Sequence, residues 1–112
     1  MIEEEVSATM EEAKEREKRE RQLKRAVQIG RTLAHPMRIE ILEMVGKHPK
    51  LAPADIARMG VGSLSNVNYH VIEATKIGCL RMVDTEPTRG TTRHIYSLTP
   101  LGQSVLALLG EL

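Results

Sequence analysis

The chain has 112 residues, room for one core and not for two, and at this length about two-thirds of the unfolded surface can be buried. Hydrophobic residues make up 41% and aromatics 2%, with no Trp, no Phe and two Tyr, so the core must be aliphatic, built from Leu, Ile, Val, Ala and some of the six Met. A net charge of +1 announces no polyanion partner, one Cys excludes a disulfide framework or a thiolate metal cluster within one chain, and no apolar run approaches the ~20 residues that span a bilayer.

The acidic start Glu3-Glu4-Glu5 is unlike a signal peptide, which leaves the expectation of a small soluble cytoplasmic domain with no membrane partner. From Met1 to Gln28 eight Glu face seven Lys or Arg, a net of −1; the remainder has seven acids and nine bases, a net of +2. Between Glu11 and Arg25 nearly every residue is charged and nothing stops a helix. Glu12 and Arg16, Glu15 and Arg19, Glu17 and Arg21, and Glu20 and Lys24 stand at i,i+4 with the acid first, the favourable order. The plain reading is a solvated helix held by its own ion pairs. The sharper one is a partner helix, because Ile2, Val6, Met10 and Ala13 form a thin apolar stripe. That stripe lapses after Ala13, which argues against a long coiled coil.

Apolar periodicity returns with Leu23, Val27, Gly30 and Leu33 or Ala34. His35-Pro36 breaks this helix, and Pro36 suits the first turn of the next, where its missing N–H costs nothing. Met37, Ile41, Met44 and Val45, with Leu42 beside them, are the expected buried face, and Gly46 the expected stop. After a solvated loop, Leu51-Ala52 could form a short strand. Pro53 opens a further helix with Ile56 and Met59 inward and Gly60 at its end. Ser63 is a plausible N-cap for a helix to about Lys76, with Gly78 as its C-terminal stop. Residues 79–86 and 91–98 are rich in β-branched side chains, and Pro87, Thr88, Arg89 and Gly90 are the expected loop of a hairpin. Thr99-Pro100 then reads as N-cap and first residue of a last helix, from Leu101 to about Leu109.

Two short helices joined by a tight Gly-containing turn, then a β-hairpin, make a helix-turn-helix with a wing. In such a unit the second helix enters the DNA major groove and the hairpin loop lies along the backbone or minor groove. Val67, Val71 and Ala74 must face the core, which leaves Ser63, Ser65, Asn66, Asn68 and Tyr69 outward. This run of neutral donors and acceptors is unlike a solvated helix, which prefers Glu, Lys and Arg. Asn can read adenine bidentately, and Ser can serve base edges or phosphates. The bland alternative is an uncharged patch facing another protein. Arg89 at the loop, Arg81 and Arg93 on the strands and Lys76 just before them could each neutralise a phosphate. For any one arginine the alternative is a cross-strand ion pair, such as Asp84 or Glu86 with Arg93.

These residues carry a family resemblance. From about Leu33 to Gly102 the chain resembles winged helix-turn-helix transcriptional regulators of the ArsR type. The matching stretches are Leu33-Ala34-His35-Pro36-Met37-Arg38-Ile39-Glu40-Ile41-Leu42, Val67-Asn68-Tyr69-His70-Val71 and Gly78-Cys79-Leu80. The segment from Val83 to Gly90 resembles wings of related bacterial regulators, and Leu98-Thr99-Pro100-Leu101-Gly102 is similar to the helix entry after the wing in MarR-type proteins. The resemblance implies sequence-specific binding of double-stranded DNA as a homodimer, usually repressing transcription. Winged helices also serve as protein-interaction modules, which is the alternative reading. Metal-sensing members carry paired cysteines near the first helix of the helix-turn-helix, or His and acid ligands on the last helix. Here those stretches read Ala54-Asp55-Ile56-Ala57-Arg58-Met59 and Gln103-Ser104-Val105-Leu106-Ala107-Leu108, and neither offers a ligand set.

The sequence therefore predicts a mainly α winged helix-turn-helix with a small β-hairpin. Its parts are a charged helical extension over residues 1–22, a DNA-binding domain over 23–98 and a dimerisation helix over 99–112. Ser63, Ser65, Asn66, Asn68, Tyr69, Arg81, Arg89 and Arg93 are the expected DNA contacts. Leu23, Val27, Val105, Leu106, Leu109 and Leu112 are the expected dimer interface, because the last helix carries a second apolar stripe beyond the one its own core needs. No metal, cofactor or enzymatic activity is expected, and a small-molecule effector cannot be read from the residues. Cys79 reads as a small core residue before a redox sensor, and His70 as packing behind the recognition helix before a DNA contact.

Overall fold

The computed structural model describes residues 2–112, with side chains described from Thr9 onward. The side chains of Ile2 and Val6 in the predicted stripe lie outside the described residues. Two compact units divide the chain, Met1–Gly30 and Arg31–Leu112. The first consists of α1 (Ile2–Leu33), whose last turn belongs to the second. With no Gly or Pro before Gly30, α1 runs as one helix through residue 22, and every side chain from Thr9 to Val27 is exposed. The four predicted i,i+4 pairs do not close. The ion pairs among the described residues are Arg58–Asp55, Lys76–Glu73, Arg93–Asp55 and Arg93–Glu86, all in the second unit. Exposed long side chains gain little from a fixed geometry and lose rotamer freedom in adopting it.

In the second unit α2 (Pro36–Lys47) begins with Pro36 in its first turn, as its fixed φ dictates, and ends one residue beyond Gly46. Its buried face is Arg38, Ile41, Leu42 and Val45, while Met37 and Met44 are only half-buried. Arg38 is 3% exposed; its Nη1 donates to the Arg31 carbonyl oxygen at 2.9 Å, an unpaired acceptor at the end of α1. The expected strand at Leu51-Ala52 does not form, because the Ala52 N–H is taken by the Asp55 carboxylate at 2.9 Å and the next residue is a proline. Ala52 instead caps α3 (Pro53–Arg58). Ile56 is buried there, but Met59 lies past the last turn as the C-cap and is 50% exposed, against the inward placement expected of it.

Gly60 takes φ +92°, a conformation that L side chains rarely adopt, and turns the chain toward α4 (Leu64–Ile77). The Ser63 hydroxyl accepts the Asn66 N–H at 3.2 Å, and Gly78 closes the helix at φ +101°. Val67, Val71, Ala74 and Ile77 face inward at helical spacing. Strands β1 (Leu80–Thr88) and β2 (Thr91–Leu98) pair antiparallel, Leu80 opposite Leu98 and Thr88 opposite Thr91. Register slips between Met82 and Asp84, which leaves Val83 as the extra residue of a bulge. Pro87 and Thr88, expected in the loop, continue the strand, so the turn is only Arg89-Gly90. Pro87 is tolerated because a two-stranded ribbon has only edge strands.

Thr99 caps α5 (Pro100–Gly110), accepting the Gly102 N–H at 3.1 Å while its own hydroxyl donates to the Gly78 carbonyl. That pair of bonds ties the end of the hairpin to the end of α4. The core lies between α2, α4 and the start of α5, with Ile41, Leu42, Ile56, Val67, Val71, Leu80, Ile95 and Val105 all buried. Burying an aliphatic side chain of this size contributes roughly 1.5–3 kcal/mol, so a core without Phe or Trp suffices. Cys79 belongs to it, fully buried with its sulfur 3.3 Å from the Thr32 hydroxyl. Among the described residues no helix is long and apolar enough to cross a membrane.

Candidate nucleic-acid interface

In the turn between α3 and α4, Gly62 passes close to Met37 of α2, where a Cβ would come within 2.6 Å of the methionine methyl. The inward Val67 and Val71 set the rotation of α4 about its axis. Ser65, Asn66, Asn68 and Tyr69 are exposed on its outer face, as expected, together with Ser63 at its start. Ser63 spends one oxygen lone pair on the cap and keeps its O–H. The side chains of Ser65, Asn66 and Asn68 make no hydrogen bond among the described residues. Leu64 and Ile72, about half exposed on the same helix, were not anticipated as part of this surface.

His70 is half-buried behind that face. Its ring lies 5.1 Å from Tyr69, edge to face, and 5.2 Å from His35. Its Nδ1 is buried without a polar partner among the described residues. Desolvation lowers its pKa below the ordinary value of 6.5, electrostatic repulsion from the neighbouring Arg38 and His35 adds to the effect, and Glu73 opposes it. A neutral imidazole packed behind the helix is the result.

On the wing, Arg81 and Arg89 are exposed, and neither forms an ion pair among the described residues. Gly90, at φ +73°, makes the turn that carries Arg89. Arg93 departs from its expected role. Its guanidinium forks onto Asp55 of α3, Nη1 to Oδ1 at 3.0 Å and Nη2 to Oδ2 at 2.6 Å, with Nε 3.7 Å from Glu86 across the strands. The cross-strand partner was foreseeable from the sequence; the main partner, 38 residues away, was not. This bidentate bond holds the Asp55 carboxyl below the usual carboxylate range against an opposing desolvation effect, and it raises Arg93. Asp55 also accepts the Ala52 N–H and lies 3.4 Å from Arg58. One carboxylate therefore caps α3 and fastens the wing to it, and Arg93 is not a free cation for phosphate.

The last helix divides differently from the expectation. Val105 is fully buried in its own chain, since it falls on the same stripe as Leu101, and so cannot serve as an interface residue. Leu106 and Leu109 are half-buried, and Leu112 is 91% exposed. Leu106 and Leu109 line an open groove of about 460 Å³ between the end of α2 and α5, with Leu98 as a third wall and Glu43, Lys47 and Gln103 among its polar residues. Leu98 comes close to α2 at Gly46, where a Cβ would lie 2.9 Å from its Cδ1. On the first unit, Leu23 and Val27 are each about half exposed. Among the described residues no group of three or more His, Cys, Asp or Glu could hold a metal ion.

No family model matches the chain, and no curated protein matches it. Solved structures do. The homodimeric winged helix-turn-helix DNA-binding domain of Mb0332 from Mycobacterium bovis, described as a possible ArsR-family transcriptional regulator, superposes with a TM-score of 0.60 at 22% identity, over 79% of this chain and 74% of that one. Reduced HlyU from Vibrio cholerae superposes with a TM-score of 0.60 at 20% identity, over 81% and 92%. A crystal structure of a possible transcriptional regulatory protein from Mycobacterium bovis gives 0.56 at 20%, over 79% and 86%. The fold is thus a winged helix-turn-helix, mainly α with one antiparallel hairpin.

Proposed function

We propose that this protein binds double-stranded DNA in a sequence-specific way as a homodimer and regulates transcription, most simply as a repressor in the cytoplasm. The observation that carries the reading is the exposed neutral face of α4, standing on a fold whose solved neighbours include a homodimeric DNA-binding domain. Asn66 and Asn68 read base edges, Ser63, Ser65 and Tyr69 complete the groove contacts, and Arg81 and Arg89 take phosphates. Leu106 and Leu109 on α5 and Leu112 beyond its end in one unit, and Leu23 and Val27 on α1 in the other, each offer apolar surface for a second copy to cover. A two-fold dimer sets the two recognition helices about 34 Å apart, on successive major grooves of a palindromic site. The role is one of binding; no residue is assigned a catalytic step.

Leu64 and Ile72, exposed on α4, favour a second reading in which that face docks on another protein. A mobility-shift measurement against genomic fragments at two salt concentrations separates the two. A preferred fragment with salt-sensitive affinity supports the regulator. No shift at low salt supports the protein-interaction module.

A further inference from the structure

The exposed helix α1 carries a surface of its own. Ala13, Arg16, Glu20, Leu23 and Val27 recur at alternating steps of three and four residues, and all five are exposed. Such spacing puts them on one stripe with the period of a coiled-coil seam. Two members of that stripe, Arg16 and Glu20, are charged. The two charges are opposite, and their order matters. In a parallel pair of helices each would face its own copy, Arg16 on Arg16 and Glu20 on Glu20. In an antiparallel pair Arg16 falls beside Glu20 of the second copy, twice by symmetry. The same register sets Ala13 beside Leu23 and Thr9 beside Val27 of the second copy.

The flanking positions agree. Glu12 and Arg19 border the seam on one side, Glu17 and Lys24 on the other. Charges at these positions set the orientation of paired helices. In the parallel arrangement Glu12 meets Glu17 and Arg19 meets Lys24, all like-charged. In the antiparallel arrangement Glu12 meets Arg19 and Glu17 meets Lys24, all opposite. Seam and flanks thus select the same arrangement independently, by charge complementarity.

We infer that residues 9–27 of α1 form a self-complementary arm that pairs antiparallel with α1 of a second copy, registered by Arg16 and Glu20. This rests on the homodimer reading, because a seam of one Ala, one Leu and one Val around an ion pair is too weakly apolar to hold two chains unaided. In the dimer its effect is to fix orientation and register, the use for which polar seam residues are best suited.

Cysteine cross-linking of the full chain tests the arm, with Cys79 buried and so out of competition. Residues 13 and 23 of one helix lie about 15 Å apart along its axis, too far for a disulfide within the chain. Oxidation of the double variant Ala13→Cys, Leu23→Cys is expected to yield about tenfold more covalent dimer than either single variant. Adding Glu12→Lys and Glu17→Lys, which makes every flanking pair like-charged, is expected to reduce that yield severalfold; an unchanged yield overturns the charge-set orientation. Cross-linking of Ala13→Cys alone as strong as that of the double variant means a parallel pair and overturns the proposal. So does the absence of cross-linking in the double variant when the wild-type chain sediments as a dimer, with the homodimer reading left standing. A wild-type chain that sediments as a monomer overturns both.

Discussion

The outer face of α4 presents Ser65, Asn66, Asn68 and Tyr69 with their polar groups uncommitted, while the wing beside it has already spent part of its charge on the fold. Arg93 and Arg89 stand four residues apart on one hairpin; the first is forked onto Asp55 and the second is open to solvent. Neutral groups can stay exposed and unpaired at little cost because water satisfies them, and they remain available to base edges. A guanidinium near a helix N-terminus that carries an aspartate is drawn into a bidentate bond whose geometry positions whatever the hairpin carries. In the proposed reading, the difference separates groups that read from groups that hold. It also warns against counting arginines as phosphate contacts.

The comparison can be broken most severely at the proposed dimer, since in that reading two recognition helices act together only when two copies are joined. The double variant Leu106→Glu, Leu109→Glu is expected to fold, to sediment as a monomer and to lose DNA affinity by about a hundredfold or more. Circular dichroism and sedimentation check the first two, and a mobility shift the third. A folded variant that remains dimeric would move the interface off α5.

Releasing the wing should be the next largest effect. Asp55→Asn removes the charge that Arg93 grips, so affinity for the cognate site is expected to fall about tenfold while affinity for unrelated DNA rises, because a cation is set free. Titrations with both DNAs decide it; equal falls on both would mean a general loss of structure. Arg89→Ala is the milder counterpart. It is expected to weaken binding to all sequences alike and to lower the salt slope by about one unit. A slope that stays put would show that Arg89 touches no phosphate.

The smallest effect concerns the support behind α4. His70 has a folded pKa below its unfolded value of 6.5, so between those two values the unfolded chain binds more protons. Stability is therefore full above pH 6.5 and declines as pH falls below it toward the folded pKa. Thermal melts between pH 7.5 and 5.5 should show this decline, and His70→Gln should reduce it. A melting temperature insensitive to pH across that range in the wild type would contradict the buried, uncharged ring.

What could be read from the sequence follows a simple division. Pro36, Ser63, Gly78 and the Thr99-Pro100 pair marked helix ends correctly because caps and proline act on their immediate neighbours. The alternation after Gly78 announced the hairpin for the same reason, although Pro87 and Thr88 joined the strand and not the loop. The errors lie where distant elements meet. Arg38 is buried because the end of α1 offers it a carbonyl, and Met59 is exposed because α3 stops at Arg58, one residue before it. Val105 was placed on an interface although its own stripe leads into the core. The grip of Asp55 on Arg93 joins residues 38 positions apart and leaves no local signal in either segment. The outer face of α4 was legible throughout, because inward valines at helical spacing define what remains outside.

That face bears the central claim, that α4 discriminates between sequences while the wing does not. The direct measurement is the affinity of Asn66→Ala and of Asn68→Ala for a cognate site and for a scrambled one, under the same salt conditions. Each substitution is predicted to cost about 1–3 kcal/mol on the cognate site and to leave the scrambled site nearly unchanged. Equal losses on the two DNAs, or no loss on either, would contradict it.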